Sequence, residues 1–192
     1  MKKILVLVLL SASSAYAADH KYYATLNLAD LDLTNASGYS TPSKIGIGAG
    51  YNLDDTYSAE ASYQINSDTK YSAYTDATKA WIFNNTVKTT SVVIAGVANF
   101  PVGQDFVAFG KLGLSQNSAS GQSSTVSAST TLVTTSGSSS SSKTDVYFAL
   151  GAKYTATKTI RPYLQYESFG AYSSGSNAAT GSAISAGVNF EF

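Results

Sequence analysis

Few residues of this 192-residue chain have the types and spacing that chemistry demands. There is one histidine, His20, and no cysteine, which excludes disulfides, thiolate metal sites and cysteine nucleophiles. Nucleophilic catalysis needs a base held beside an oriented nucleophile. No serine and carboxylate constellation points to His20, which reads as an exposed residue at the start of a strand. Asp30-Leu31-Asp32 and Asp54-Asp55 lack the spacing of a calcium loop and read as solvated loop carboxylates. Gly46-Ile47-Gly48 opens no helix, so it gives no nucleotide-binding turn. No metal and no cofactor are expected. What remains is a scatter of single charges, Glu60, Lys111, Lys153, Arg161, Glu167 and Glu191, each set in an uncharged stretch. Charges of both signs neutralise one another only where a fold gathers them, so the elements that carry them decide their meaning.

Those elements alternate. Ser182 to Phe192 sets Ile184, Ala186, Val188, Phe190 and Phe192 on one face at period two, with Ala183, Ser185, Gly187, Asn189 and Glu191 on the other. That is the pattern of a half-apolar strand. Seven further strands are predicted: His20 to Leu28, Ser43 to Leu53, Thr56 to Asn66, Thr89 to Phe100, Phe106 to Asn117, Thr144 to Tyr154 and Ile160 to Gly170. In the fourth, Val92, Val93 and Ile94 run together, and the phase chosen puts Val92, Ile94, Ala98 and Phe100 outward. Every one of the single charges falls on the face opposite the apolar one. The connections alternate long and short. The long one from Ser67 to Lys88 carries Tyr71, Tyr74, Trp81 and Phe83, a candidate surface-contact loop. The tract from Ser118 to Ser142 is low in complexity and is expected to be a mobile loop, within which Thr125 to Thr135 could extend a hairpin.

Charged residues make up 12% of the chain, about half the share usual in a soluble domain. Yet no apolar segment of helix length follows the first residues. Only helices and closed barrels satisfy their backbone groups in lipid, so apolar residues dispersed by alternation point to a barrel. Met1-Lys2-Lys3, the apolar run Ile4 to Leu10 and Ala15-Tyr16-Ala17 read as a secretory leader cleaved after Ala17, with a barrel over residues 18–192. Removing Lys2 and Lys3 from twelve basic residues leaves ten against twelve acidic ones, a charge of about −2 and no footprint for nucleic acid.

The alternating strands, the leader and a last strand that ends on Phe192 together resemble the small eight-stranded outer-membrane barrels typified by the transmembrane domain of outer-membrane protein A. The resemblance covers the whole chain after the leader. It implies an all-β, eight-stranded antiparallel up-and-down transmembrane β-barrel in the cell outer membrane, with short periplasmic turns and long extracellular loops. It also implies an interior ion-pair network, for which the six charges on the inner face are the candidates; Arg161 and Glu191 should pair. Ile184, Ala186, Val188, Phe190 and Phe192 correspond to the β-signal read by the barrel-assembly machinery. The peptidoglycan-binding domain that some relatives append is expected to be absent. Expected partners are outer-membrane lipid and lipopolysaccharide, the assembly machinery during biogenesis, and a host or cell-surface ligand. Lipid-modifying enzymes of this architecture use a His-centred site, which His20 does not supply. Two functions survive: a structural or surface-interaction protein (an adhesin or surface antigen) and a small porin-like channel. An eight-stranded barrel is only wide enough for its own side chains, which favours the first.

Overall fold

Strands with one apolar face leave exposed backbone edges, and in lipid these must all be paired. The computed structural model describes residues 21–34, 40–74, 81–127, 134–172 and 178–192, and in it the edges close on one another. The strands are β1 (Tyr22–Leu33), β2 (Ser43–Asn52), β3 (Tyr57–Asn66), β4 (Thr69–Tyr74), β5 (Trp81–Val102), β6 (Phe106–Ser127), β7 (Thr134–Tyr154), β8 (Ile160–Ala171) and β9 (Thr180–Glu191). All pairings are antiparallel, and the ring runs β1-β2-β3-β5-β6-β7-β8-β9, with β9 back on β1. Eight strands thus form the barrel, and β4 stands outside the ring on the upper part of β5. Ile65 pairs with Thr90 and Thr69 with Val87, so one extra residue on the β3–β4 side makes a bulge at Ser67 and Asp68.

Partners followed once round the ring from Tyr22 lead through Tyr51, Ala59, Gly96, Leu112, Phe148, Ser168 and Ser182 to Asp32, ten residues further along β1. With ordinary strand spacing and rise, this stagger tilts the strands by about 40° and gives a backbone radius of about 8 Å. The outer surface follows from the alternation. Ile94, Leu112, Leu114, Leu150, Leu164 and Ile184 are all more than half exposed, while Val93 beside Ile94 is 2% exposed. On β5 this lipid-facing set runs from Val92 to Val102, a height of about 25 Å after the tilt. Tyr22 and Tyr51, and Phe106 and Tyr154, make ring contacts at its turn end, where an interfacial girdle belongs.

Three expectations are corrected. Asp30 and Asp32 are strand residues, because β1 continues to Leu33; Asp30 accepts a hydrogen bond from Ser43 Oγ at 3.3 Å. The connection from Ser67 to Lys88 is a hairpin of β4 and the start of β5, in which Tyr71 pairs with Asn85 and Tyr74 with Ile82. The Ser118 to Ser142 tract is not a mobile loop over its described residues, since β6 and β7 pair through it from Ser118 and Ser142 up to Val126 and Thr134. Above the lipid no apolar face is needed, so these stretches show no periodicity, and the neighbouring β5 holds them in register. The predicted leader at 1–17 and His20 lie outside the described residues.

Candidate functional site

The inner face carries the ionisable groups, arranged in levels. At the turn end Arg161 Nη2 stands 2.9 Å from Glu191 Oε2 across the β8–β9 pair. These two line an open pocket of about 480 Å³ with Lys153, whose ammonium lies 5.1 Å from the Phe109 ring centre. One level higher, Lys111 Nζ is 2.6 Å from Glu60 Oε1, and Tyr23 donates its hydroxyl to Glu60 Oε2 at 2.9 Å. Tyr163 packs edge-on against Phe109 with centroids 6.0 Å apart and shares a 2.8 Å hydrogen bond with Thr25. Higher still, Glu167 accepts from Lys44 and Ser185, and from the Tyr147 hydroxyl at 3.0 Å.

Above Glu167 the lumen turns apolar. Leu31, Val93, Tyr147, Phe169 and Tyr172 form one buried cluster. Its position depends on a register shift between Ser168 and Gly170, where Gly170 takes φ +70°, a conformation that favours glycine. The bent end of β8 is tied down: Asn117 Nδ2 donates to the Phe169 carbonyl at 2.6 Å and to the Ala171 carbonyl at 3.0 Å. The Tyr172 hydroxyl shares a 3.0 Å hydrogen bond with Ser91. The sequence reading puts the charges on the inner face and does not foresee this apolar level, which forms because the bulge lets the end of β8 seat two aromatic rings among small inward residues such as Ala95 and Ala149.

Beyond the lipid-facing band, β5, β6 and β7 continue as a projecting sheet, on β5 from Val92 back to Trp81, about 28 Å further at the same tilt. Its cross-strand rows are polar: Thr90, Ser118 and Ser142 in the lowest, then Lys88, Ser120 and Ser140.

A ring of eight strands with apolar residues outside and charges within is one of the two structures able to span a bilayer. A family profile described as outer membrane protein beta-barrel domain matches residues 4–192. The chain belongs to that family. This outer-membrane barrel protein is similar in fold to Neisserial surface protein A, with a TM-score of 0.61 and 19% identity over 90% of this chain and 97% of the other. It is also similar to Ail, the attachment invasion locus protein of Yersinia pestis, with a TM-score of 0.54 and 16% identity over 89% and 97% of the two chains. The N-terminal β-barrel domain of Pseudomonas aeruginosa OprF gives a TM-score of 0.53 and 14% identity over 90% and 98%. No curated protein matches the sequence.

Of the six charges singled out in the sequence of this barrel protein, Glu60 and Lys111 meet directly, as do Arg161 and Glu191. Glu167 meets none of the other five; its ion pair is with Lys44, and Lys153 contacts an aromatic ring. Lys44 was missed, although its alternation with Ile45 and Ile47 already puts it on the inner face. Ile184 and Ala186 of the terminal strand face outward, and Val188, Phe190 and Phe192 are half-buried on the same side. The last strand is closed onto the first by Phe192 N donating to the Tyr22 carbonyl at 2.9 Å and Tyr22 N to the Phe192 carbonyl at 3.1 Å.

Proposed function

We infer that this outer-membrane barrel is a surface-interaction protein, in which a sealed cylinder anchors a projecting β-sheet for a partner outside the cell. One observation carries the reading. The lumen is filled by ion pairs and a ring cluster, whereas β5, β6 and β7 extend well past the lipid. A transport role needs a passage, and a filled eight-stranded lumen does not offer one. The sheet also has an open side. The pairing of β7 with β8 runs from Phe148 to Lys153, so among the described residues no strand pairs with β7 on that side from Thr134 to Ser140. An unpaired edge without proline or charge is a template for an extended segment of another protein. Tyr71, Tyr74, Trp81 and Phe83, on the β4–β5 hairpin, are the proposed contact aromatics.

Two proteins of this fold are named for surface roles, Neisserial surface protein A and the attachment invasion locus protein of Yersinia pestis, and the latter has been crystallised with the heparin analogue sucrose octasulfate. Those names agree with a surface role for this chain. Residues 1–17 are proposed to direct export, and the terminal strand to be read by the barrel-assembly machinery. The test displays the protein on a non-adherent bacterial host, with and without the hairpin above Ala119 and Ser141, and reads adherence to cultured cells. Adherence is expected with the full hairpin and its loss without it. Equal adherence removes the role of the sheet, and a steady conductance of the purified protein in planar bilayers replaces this reading by the porin-like one.

A further inference from the structure

Among the described residues four cations face the lumen, and they are not equivalent. Lys44, Lys111 and Arg161 each meet a carboxylate, whereas Lys153 is in no ion pair with a described residue. Lys153 is 6% exposed, aligned with Val107 on β6 and Tyr163 on β8, and its ammonium is set 5.1 Å from the centre of the Phe109 ring. A cation taken out of water needs an opposite charge or a set of acceptors, and a ring face supplies only a small part of that. Two neighbouring groups are also unmatched: among the described residues Arg161 Nε is buried without an acceptor and Asn99 Oδ1 without a donor. All three residues belong to the wall of the pocket of about 480 Å³ at the turn end. Further in, the Phe109 and Tyr163 rings and the pair of Lys111 and Glu60 fill the lumen, so entry is from the turn side, which in outer-membrane barrels faces the periplasm. Asp54 and Asp55 stand exposed on the same pocket, and Asp54 already accepts from the backbone N–H groups of Thr56 and Tyr57, both at 2.7 Å.

We propose that this pocket is a binding site for the carboxylate of a small, singly charged organic acid that enters from the periplasm, with Lys153 as its counter-ion. A carboxylate against the Lys153 ammonium completes the ion pair that the other three lumen cations find within the chain. Its second oxygen can be offered to the Arg161 guanidinium, which has an N–H to spare. A hydroxyl or amide N–H beside the carboxylate matches Asn99 Oδ1, the acceptor without a donor. The rim decides the charge of the ligand. Asp54 and Asp55 repel an approaching anion, and the repulsion grows with its charge, so a monoanion is admitted more readily than a dianion. The volume is that of a small-molecule site, and one charged group at its inner wall is enough to orient a short acid carboxylate first. The site lies at the opposite end of the barrel from the projecting sheet, and the surface-interaction reading neither supports it nor depends on it.

The test uses the full chain in phospholipid nanodiscs, with N-acetylglycine as the monocarboxylate, sulfate as the dianion and chloride as a simple counter-ion, all at one ionic strength. N-acetylglycine is expected to shift the amide resonances of Val107, Lys153 and Arg161 saturably and to raise the urea midpoint of the barrel. Sulfate should bind several-fold more weakly, and chloride should do neither. Lys153→Met should weaken N-acetylglycine binding by about tenfold or more. Without any ligand the same variant should unfold at the same urea concentration as the parent or a higher one, because it removes a buried charge that has no partner in the chain. Lys143→Gln, at the far end of β7, should leave the binding unchanged. If Lys153→Met is as destabilising as the loss of Lys111, or does not refold, Lys153 is satisfied within the fold and the proposal is overturned. Absence of a saturable shift with N-acetylglycine overturns it as well, and so do equal shifts with sulfate or chloride, all read on the unaltered protein.

Discussion

Lys111 on β6 reaches past β5 to Glu60 on β3, Nζ to Oε1 2.6 Å, with 5% and 7% of the two side chains exposed. Removing one member of such a pair leaves a buried charge without its counter-ion, which costs about 3–5 kcal/mol, whereas replacing both is often close to neutral. Lys111→Met should therefore destabilise the barrel by about that amount. The double variant Glu60→Gln with Lys111→Met should recover most of it. Urea unfolding in phospholipid vesicles gives all the values needed, and a double variant as unstable as the sum of the singles would dismiss the coupling.

Crowding of the same lumen predicts an order among glycine substitutions. A Cβ on Gly113 would stand 2.0 Å from the Ile94 carbonyl oxygen, which is backbone and cannot swing away. On Gly50 it would meet the Tyr23 ring at 2.0 Å, a side chain that can move at the expense of its hydrogen bond to Glu60. On Gly96, which faces lipid, nothing lies closer than 3.9 Å. Gly113→Ala should be the most damaging, Gly50→Ala should cost about 1–3 kcal/mol, and Gly96→Ala should be neutral or slightly stabilising. An inverted order in the same unfolding assay would mean that the packing around Gly113 yields more readily than its backbone contact implies.

The barrel was legible in the sequence because lipid on one side and a narrow lumen on the other force strict alternation. That is why Val93 falls inside and Val92 and Ile94 outside, and why Arg161 and Glu191 could be matched from strand ends alone. Above the membrane both faces are polar, the period vanishes, and strand pairing depends on neighbours far away in sequence; β4 and the upper halves of β6 and β7 carry no local mark. The pairing of Glu167 with Lys44 spans 123 residues and is set by the ring's stagger, which no single strand reveals. The inward turn of Phe169 and Tyr172 depends on one bulge at Gly170, and a lone glycine near a strand end is too common to read in advance.

The projecting hairpin adds strand pairs outside the lipid but none of the barrel's closing contacts. Joining Ala119 to Ser141, which already face each other, through an Asn-Gly turn removes the upper rows and keeps the register below. The shortened chain should still refold into detergent and show the same heat-modifiable band on unboiled gels, since loop length changes closure entropy only slowly. Failure to refold would show that the projecting strands nucleate the β5–β6–β7 part of the ring.

Phe192 joins the first and last strands through both its backbone groups, N to the Tyr22 carbonyl at 2.9 Å and carbonyl from Tyr22 N at 3.1 Å, while its side chain is half-buried at the turn end. Phe192→Ala keeps those hydrogen bonds and removes only the ring. If the ring serves the interfacial girdle alone, the loss is partial burial of one aromatic, on the order of 1–3 kcal/mol, and refolding into detergent should fall in proportion. If the ring is also what the barrel-assembly machinery reads, outer-membrane yield in cells should fall much further than refolding does. The second outcome is expected, because a girdle has no need of an aromatic at the last residue when Tyr22, Tyr51 and Tyr57 already stand exposed at that end. Phe190→Ala, which opens the same face two residues earlier, serves as the girdle control. Equal losses in both assays for Phe192→Ala would leave the residue a packing role only. A larger loss in cells than in detergent, and larger than that of Phe190→Ala, would identify the ring as part of the assembly signal.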